Sequence, residues 1–179
     1  MEESEEAFGR EALAHADALY NLARYLTGRD EGAEDLVQET FARALGAADR
    51  FAAGTNLKAW LFRILRNTFL DGARRRRREP ARETRDLEEA AGAPPLDGAL
   101  RGDAELDRLR TVVGEEIEEA LMTLSEDGRT VVLLDLEGLS EAEIAGVLGC
   151  AAGTVKSRLS RARAALRERL RDYQQEGVR

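Results

Sequence analysis

The spacing of hydrophobic residues predicts helices throughout the first half of the chain. Apolar residues recur at three- and four-residue intervals from Leu19 to Leu26, and Thr27-Gly28 ends that segment. A second helix is predicted from about 33 to 45, and its apolar side consists of Leu36, Val37, Phe41, Ala44 and Leu45. The two segments have the pattern of amphipathic helices that pack against a shared core.

A longer helix is predicted from about Leu57 to Arg78, after a loop around residues 51–55. Thr55 or Asn56 precedes it and can cap its first turn. Its predicted inward stripe consists of Leu57, Trp60, Leu61, Ile64, Leu65 and Phe69. No stretch of convincing length alternates in the period-2 pattern of a strand, which argues against a parallel-sheet enzyme.

The second half contains the strongest local pattern, two helices joined by a tight turn. Ser140 and Glu143 have the spacing of a capping box at the start of a short helix, and Gly149 permits the positive φ of a turn. Gly153-Thr154 opens the next helix, whose predicted inward residues are Val155, Leu159, Ala162 and Leu166. The preceding segment supplies further predicted core residues, namely Leu121, Leu124, Val131, Val132, Leu134 and Leu136.

The outer face of this last helix is basic. It presents Lys156, Ser157, Ser160, Arg161 and Arg163. A helix-turn-helix places the N-terminal residues of its second helix in the major groove, where Lys and Arg donate to guanine and Ser pairs with either partner. A helical hairpin with a merely solvated basic face is the alternative. The ordered combination of Ser cap, small Ala145, Gly turn and basic helix favours DNA binding.

Composition indicates two small domains. The 179 residues include three prolines, and all three lie in 80–103, a segment with few large apolar residues. Such a segment cannot bury enough apolar surface to offset its ordering entropy, so it is predicted to be a flexible linker. The predicted fold is therefore all-α, with helical domains at 8–79 and 104–172, each near the lower size limit for a self-sufficient core.

Charge is distributed in blocks of opposite sign. The chain has 27 basic and 35 acidic residues, yet residues 43–78 carry ten basic and two acidic side chains, and residues 153–179 carry eight and three. Residues 1–42 and 112–152 are strongly acidic. Because a polyanion responds to charges within about 8–10 Å, the two basic blocks matter more than the net charge of −8.

Several classes of protein are not supported by the sequence. No apolar run approaches the ~18–20 residues of a membrane span, and the acidic start lacks the basic region of a signal peptide. A soluble cytoplasmic protein is expected. One His, one Cys and no phosphate-binding loop leave no assembled catalytic or metal site, so no enzyme activity and no cofactor are expected. Cys150 could sense oxidants or simply fill a small apolar site.

The helix-turn-helix, together with "DLVQETFARAL" and "TNLKAWLFRILRNTFLD", resembles the extracytoplasmic-function group of bacterial sigma-70-family factors. The resemblance implies a two-domain initiation factor that carries only conserved regions 2 and 4. The chain departs from the family pattern at Ser125 and Ala151, where Pro is common. It also departs at Ser160, where an aromatic residue or His is often found. The departures at Ser125 and Ala151 do not touch the DNA-facing residues, whereas the smaller Ser160 implies a different promoter sequence.

The resemblance also assigns roles to individual residues. It implies that the core-polymerase-binding segment spans 35–41 and includes Asp35, Leu36, Gln38, Glu39 and Phe41. The minus-ten element would be read by the loop near Phe51 and by the helix from Trp60 to Arg78, with Asn67 beside a flipped base and Thr68 next to it. Phosphates in that region would be held by Arg63, Arg66, Arg74, Arg75, Arg76, Arg77 and Arg78. Trp60 would support strand opening, although a core role is equally consistent with its position.

For the minus-thirty-five element, the resemblance points to the helix that follows Gly153. Its contacts would be Thr154, Lys156, Ser157, Ser160 and Arg161, with Arg158 and Arg163 on phosphates. The implied partners are core RNA polymerase, promoter DNA and an anti-sigma factor; no small-molecule substrate and no membrane insertion are expected. In the holoenzyme the protein would be nucleoid-associated. The alternative function is a signalling adaptor or sigma mimic that binds an anti-sigma factor without initiating transcription.

Overall fold

Helices make up the regular structure of the residues that the structure describes. A computed structural model describes residues 2–28, 30–52, 54–78, 114 and 116–171. The first group of helices comprises α1 (Glu2–Leu13), α2 (Ala16–Thr27), α3 (Asp30–Leu45), a 3-10 turn (Ala48–Arg50) and α4 (Leu57–Arg78). Residues 116–122 are helical, and α5 (Glu126–Leu136), α6 (Glu141–Leu148) and α7 (Ala152–Arg169) follow. No strand occurs in these ranges, and the predicted all-α fold is confirmed.

Contacts between residues divide the chain into two compact units. One contains the described parts of Met1–Arg85 and Leu133–Lys156, and the other those of Asp86–Val132 and Ser157–Arg179. The predicted linker, 80–103, lies outside the described residues. The domain boundaries expected from the sequence, 8–79 and 104–172, stay a prediction.

The core of the first unit is formed where α2, α3 and α4 pack against one another. Helix α2 ends as the sequence predicts, because Gly28 adopts a φ of 71° and donates its N–H to the carbonyl of Arg24. On α3 the fully buried residues include Ala33, Thr40 and Ala44. Thr40 is accommodated there because its hydroxyl donates to the carbonyl of Leu36 at 2.7 Å.

The buried stripe of α4 differs in part from the prediction. Leu57, Leu61 and Leu65 are buried as expected, but Phe62 is also completely buried, although the predicted stripe omitted it. The predicted members Trp60, Ile64 and Phe69 are only half-buried. The stripe is rotated toward Phe62, so the side of α4 that carries Trp60 and Ile64 remains accessible.

Two leucines that were predicted to lie in the core are exposed. Leu45 is 50% exposed at the last position of α3, and Leu136 is 73% exposed at the last position of α5. Because α5 has apolar residues at 131–134 and again at 136, they surround the helix and cannot all face one core. Val131, Val132 and Leu134 are buried as predicted.

Three aromatic rings fix the loop before α4. Phe8 of α1, Phe51 and Trp60 have ring centroids 5.4 to 6.0 Å apart. These separations suit tilted and edge-on aromatic packing, which is favourable beyond the area that it buries. The cluster ties α1 to the loop and to the first turn of α4.

Ser125 and Arg129 join the helical residues 116–122 to α5. The Ser125 hydroxyl accepts the N–H of Gly128 at 3.2 Å, so serine caps α5 at the position where the family commonly has proline. The Arg129 guanidinium donates to the carbonyls of Leu121, Met122 and Leu124 at 3.0 to 3.3 Å. These bonds give partners to carbonyl groups at and just after the end of the preceding helix, where the Leu121 carbonyl also accepts the N–H of Leu124.

Candidate nucleic-acid interface

The acidic face of α3 is accessible. Asp35, Gln38 and Glu39 are exposed, whereas Leu36 is buried and Phe41 is half-buried. The five residues predicted to bind polymerase thus divide into three that face solvent and two that hold the helix against its neighbours. Glu39 also accepts a hydrogen bond from Arg43 Nε at 2.7 Å, one helical turn along the same face.

Arg43 connects α3 to α4. Besides its bond to Glu39, its guanidinium donates to Asp71 Oδ2 of α4 at 3.4 Å. The hydrogen bond that Arg43 donates to Glu39, and then the one that it donates to Asp71, raise the pKa of Arg43, although partial burial opposes the shift. Asp71 in turn lies 3.5 Å from Arg74 of the same helix. Neither the sequence patterns nor the family resemblance assigned a role to Arg43 or Asp71.

A cleft of about 400 Å³ lies between α3 and the accessible side of α4. Its lining includes three residues predicted to contact the minus-ten element, Trp60, Asn67 and Thr68, and three others with charged side chains, Arg43, Arg50 and Asp71. Asn67 is exposed, while Thr68 is mostly buried and donates its hydroxyl to the carbonyl of Ile64 at 2.9 Å. Phe51 is half-buried in the aromatic cluster beside Trp60.

Sequence reasoning could have found part of this charged lining. Asp71 follows Asn67 by four residues, and residues at that interval lie on the same face of a helix. Arg43 could not have been found in this way, since its position depends on how α3 crosses α4.

The arginine run lies at the end of α4. All five of Arg74–Arg78 are exposed, as is Arg63, whereas Arg66 is half-buried. Successive residues in a helix are rotated by about 100°, so five consecutive arginines surround the helix. This end of α4 therefore presents positive charge in every direction, an arrangement suited to phosphates rather than to base edges.

The predicted capping box of α6 is confirmed. The Ser140 hydroxyl accepts the N–H of Glu143 at 3.3 Å, and a Glu143 carboxylate oxygen accepts the N–H of Ser140 at 2.7 Å. At the other end Gly149 adopts a φ of 65°. The Gly149 and Cys150 N–H groups both donate to the carbonyl of Ala145, which completes the turn after α6. The Cys150 side chain is half-buried in this turn.

Helix α7 separates an apolar side from a polar side. Val155, Leu159 and Ala162 are buried. The predicted DNA contacts that are exposed are Lys156, Ser157, Ser160, Arg161 and Arg163. Thr154 and Arg158 are half-buried, and Arg158 forms an ion pair with Asp127 at 2.6 Å. The exposed residues predicted to contact base edges are therefore accessible to solvent. Arg158, which was predicted to contact a phosphate, is paired with Asp127.

The first turns of α4 and α6 are joined by polar contacts. Asn56 caps α4 by accepting the N–H of Ala59 at 3.2 Å, and its side-chain amide donates to Glu143 at 2.7 Å. The Ser140 hydroxyl, the Ser140 N–H and the Asn56 amide, in that order, lower the pKa of Glu143, and partial burial opposes them. Nearby, Lys58 donates to the backbone carbonyl of Glu137 at 2.9 Å and pairs with its carboxylate.

Two features are absent from the part of the chain that the structure describes. Within the described ranges, no helix is both long and apolar enough to cross a membrane. The same residues include no group of three or more His, Cys, Asp or Glu side chains arranged to hold a metal ion.

Comparison with known proteins identifies both halves of the chain. The family model for sigma-70 region 2 matches residues 12–79, and that for sigma-70 region 4 matches residues 114–166. The sigma factor EcfG of Rhodopseudomonas palustris is 41% identical over 86% of this chain and 80% of its own length. The sigma factor SigE of Mycolicibacterium smegmatis is 40% identical over 89% of this chain and 58% of its own length.

A solved structure has the same fold. The sigma factor RpoE of Bartonella quintana, in complex with the anti-sigma factor NepR, is 38% identical, with a TM-score of 0.70 over 93% of this chain and 98% of that one. The resemblance inferred from sequence motifs is thereby confirmed. The chain belongs to the extracytoplasmic-function group of the sigma-70 family of RNA polymerase sigma factors.

Proposed function

We propose that this sigma factor binds core RNA polymerase, directs it to specific promoters and helps to open the duplex. The observation that carries the proposal is a set of three exposed surfaces on this member of the family. Two are cationic helical surfaces, and the third is the acidic face of a helix. Each surface fits a different partner of a transcription complex. No step in this function requires catalysis by the chain itself.

The acidic face of α3 is the proposed contact with core polymerase. Asp35, Gln38 and Glu39 supply carboxylate and amide oxygens that can accept charge-assisted hydrogen bonds from arginines on a partner helix. Leu36 and Phe41 contribute by packing, since they are buried or half-buried. Their removal would affect binding through the position of the helix.

The cleft beside α4 is the proposed reader of the minus-ten element. Its mixed lining suits an unstacked base, which could hydrogen-bond to Asn67 and lie against the ring of Trp60. Thr68 would shape the floor of the cleft, because its hydroxyl is already donated to the backbone. The exposed arginines at 63 and 74–78, with half-buried Arg66, would hold the flanking phosphates.

Helix α7 is the proposed reader of the minus-thirty-five element. Lys156, Ser157, Ser160 and Arg161 would face base edges, with Thr154 at the helix start and Arg163 on a phosphate. Arg158 would reach a phosphate only in competition with its ion pair to Asp127. The two readers would belong to domains at 8–79 and 104–172, joined by the linker 80–103.

An anti-sigma factor is proposed as the regulatory partner. The relative from Bartonella quintana was solved in complex with an anti-sigma factor, and this chain matches it over almost its whole length. We expect a cytoplasmic location, with nucleoid association in the holoenzyme. The alternative of a sigma mimic is less well supported, since a mimic does not require exposed base-reading and phosphate-binding side chains.

Reconstituted transcription tests the function. Core polymerase with the wild-type chain should initiate at discrete sites on genomic DNA, and mapping those starts would define the promoter. The double variant Lys156→Glu/Arg161→Glu should lose this transcription while it still binds core polymerase. A control variant, Arg169→Glu/Arg171→Glu, makes the same change in charge further along the same segment and should remain active. Normal transcription by the first variant would instead favour the adaptor.

A further inference from the structure

Arg43 and Asp71 lie between the two surfaces that we assign to polymerase and to DNA. Arg43 belongs to α3, one turn after Glu39 on the proposed polymerase face. Asp71 belongs to α4, one turn after Asn67 and three residues before Arg74, both proposed DNA contacts. Neither residue has a role in the function described above.

Their charges form a continuous series across the two helices. Glu39 Oε1 lies 2.7 Å from Arg43 Nε, Arg43 Nη1 lies 3.4 Å from Asp71 Oδ2, and Asp71 Oδ1 lies 3.5 Å from Arg74 Nη1. Arg43 and Asp71 also both line the cleft that contains Asn67. A change in how Glu39 is paired can therefore reach the cleft through direct contacts.

The distances suggest how the series would respond to a partner. Arg43 is held mainly by Glu39 and more weakly by Asp71, as the shorter and longer bonds show. If an arginine of the polymerase takes Glu39, Arg43 loses its nearest acceptor and shifts toward Asp71. Asp71 then pairs more closely with Arg43 and holds Arg74 less strongly, so that Arg74 can bind a phosphate.

We propose that Arg43 and Asp71 are positioning residues that couple polymerase binding at α3 to DNA binding at α4. This inference rests on the proposed function of those two surfaces. The ion pairs are partly exposed, with 37% to 69% of each side chain accessible to solvent. Exposed pairs of this kind are individually weak, so we expect a coupling of about threefold to fivefold in affinity.

A double-mutant cycle in the reconstituted holoenzyme measures this coupling. Glu39→Gln perturbs the polymerase face and Arg74→Gln removes the DNA-side end of the series, and promoter-complex formation is measured for each and for both together. In the otherwise wild-type chain, the promoter affinity of the double variant should differ by about threefold to fivefold from the value expected if the two single effects were independent. In an Arg43→Gln background, and separately in an Asp71→Asn background, they should multiply independently.

The same cycle distinguishes coupling from a structural role. An Arg171→Gln background removes an exposed ion pair with Glu168 at 2.8 Å and should leave the coupling intact. Thermal unfolding followed by circular dichroism identifies a background that fails to fold, and the other background then carries the test. Unchanged coupling in a folded Arg43→Gln or Asp71→Asn chain, or no coupling in wild type, would overturn the inference. Failure of the proposed surfaces gives a different result, because Glu39→Gln would then leave core binding unchanged or Arg74→Gln would leave promoter binding unchanged.

Discussion

The side-chain amide of Asn56 donates a 2.7 Å hydrogen bond to the carboxylate of Glu143, and both residues cap helices. Asn56 accepts the N–H of Ala59 at the start of α4, and Glu143 closes the capping box at the start of α6. The two helices therefore begin at a shared polar cluster. A change at either residue should affect both its own helix and the contact between them.

Asn56→Ala should destabilise the protein by about 1 kcal/mol, because it removes the cap of α4 together with the bond to Glu143. Asn56→Ser separates the two effects, since serine can still cap the helix but is too short to reach Glu143. Its stability should lie between those of Asn56→Ala and wild type. Urea unfolding followed by circular dichroism measures all three. Equal stability of wild type and Asn56→Ala would show that the cap contributes nothing.

Acid should weaken the cluster through Glu143. Hydrogen bonds from Ser140 and Asn56 hold the pKa of this carboxyl below its ordinary value of 4.5. A carboxyl whose pKa is lowered by folding stabilises the native state above its unfolded pKa, and that contribution is lost as pH falls through the folded pKa. The contribution of Glu143 should thus be complete above about pH 5 and decline at lower pH.

Glu143→Gln tests this dependence, because glutamine keeps a carbonyl acceptor but does not titrate in this range. The stability difference between wild type and Glu143→Gln should be largest near neutral pH and shrink on acidification. Thermal unfolding of both proteins from pH 7 to pH 3 measures it. A difference that stays constant across the series would contradict the assignment.

Two glycines near the turn after α6 should respond to alanine in opposite ways. Gly149 has a φ of 65°, where a side chain is strained, whereas Gly146 lies exposed within α6. An added Cβ would meet nothing within 4 Å at either position, so backbone conformation alone decides the effect. Gly149→Ala should cost about 1 kcal/mol, and Gly146→Ala should stabilise by up to about 1 kcal/mol. Thermal unfolding measures both, and equal effects would contradict this explanation.

Local signals in the sequence predicted the helix ends well. The range Leu57–Arg78, the capping box of Ser140 and the turn at Gly149 all agree with the structure. Each of these helix ends depends on residues only a few positions apart in the sequence. Local backbone geometry and capping hydrogen bonds therefore decide where the helix begins or ends. The helix-turn-helix motif could be recognised for the same reason.

Features that depend on packing between distant helices were not predicted. Phe62 is completely buried because of the side on which α4 packs against α2 and α3. The hydrophobic pattern alone centred the predicted buried stripe too near Trp60. The exposure of Leu136 reflects a helix that is apolar on too many sides for one core. The Arg43–Asp71 and Asn56–Glu143 pairs join residues 28 and 87 positions apart, and no local pattern indicates them.

The arginine run at the end of α4 should contribute unequally to promoter binding. Because five consecutive residues cover a full turn of helix, only two or three of Arg74–Arg78 can face one nucleic-acid strand at a time. Each arginine that contacts a phosphate should lower the slope of log affinity against log salt by about 0.7 to 0.9 when it is replaced. Single Gln substitutions at the five positions should therefore fall into two groups.

Salt titrations of holoenzyme–promoter binding measure these slopes, with Arg171→Gln as an exposed arginine outside the proposed contacts. Two or three variants should show the reduced slope, and the others should match the control. Positions 74 and 78, which lie one turn apart and share a helix face, should fall in the same group. Five equal reductions would indicate a flexible, non-helical arginine tail, and no reduction would remove this segment from the proposed DNA interface.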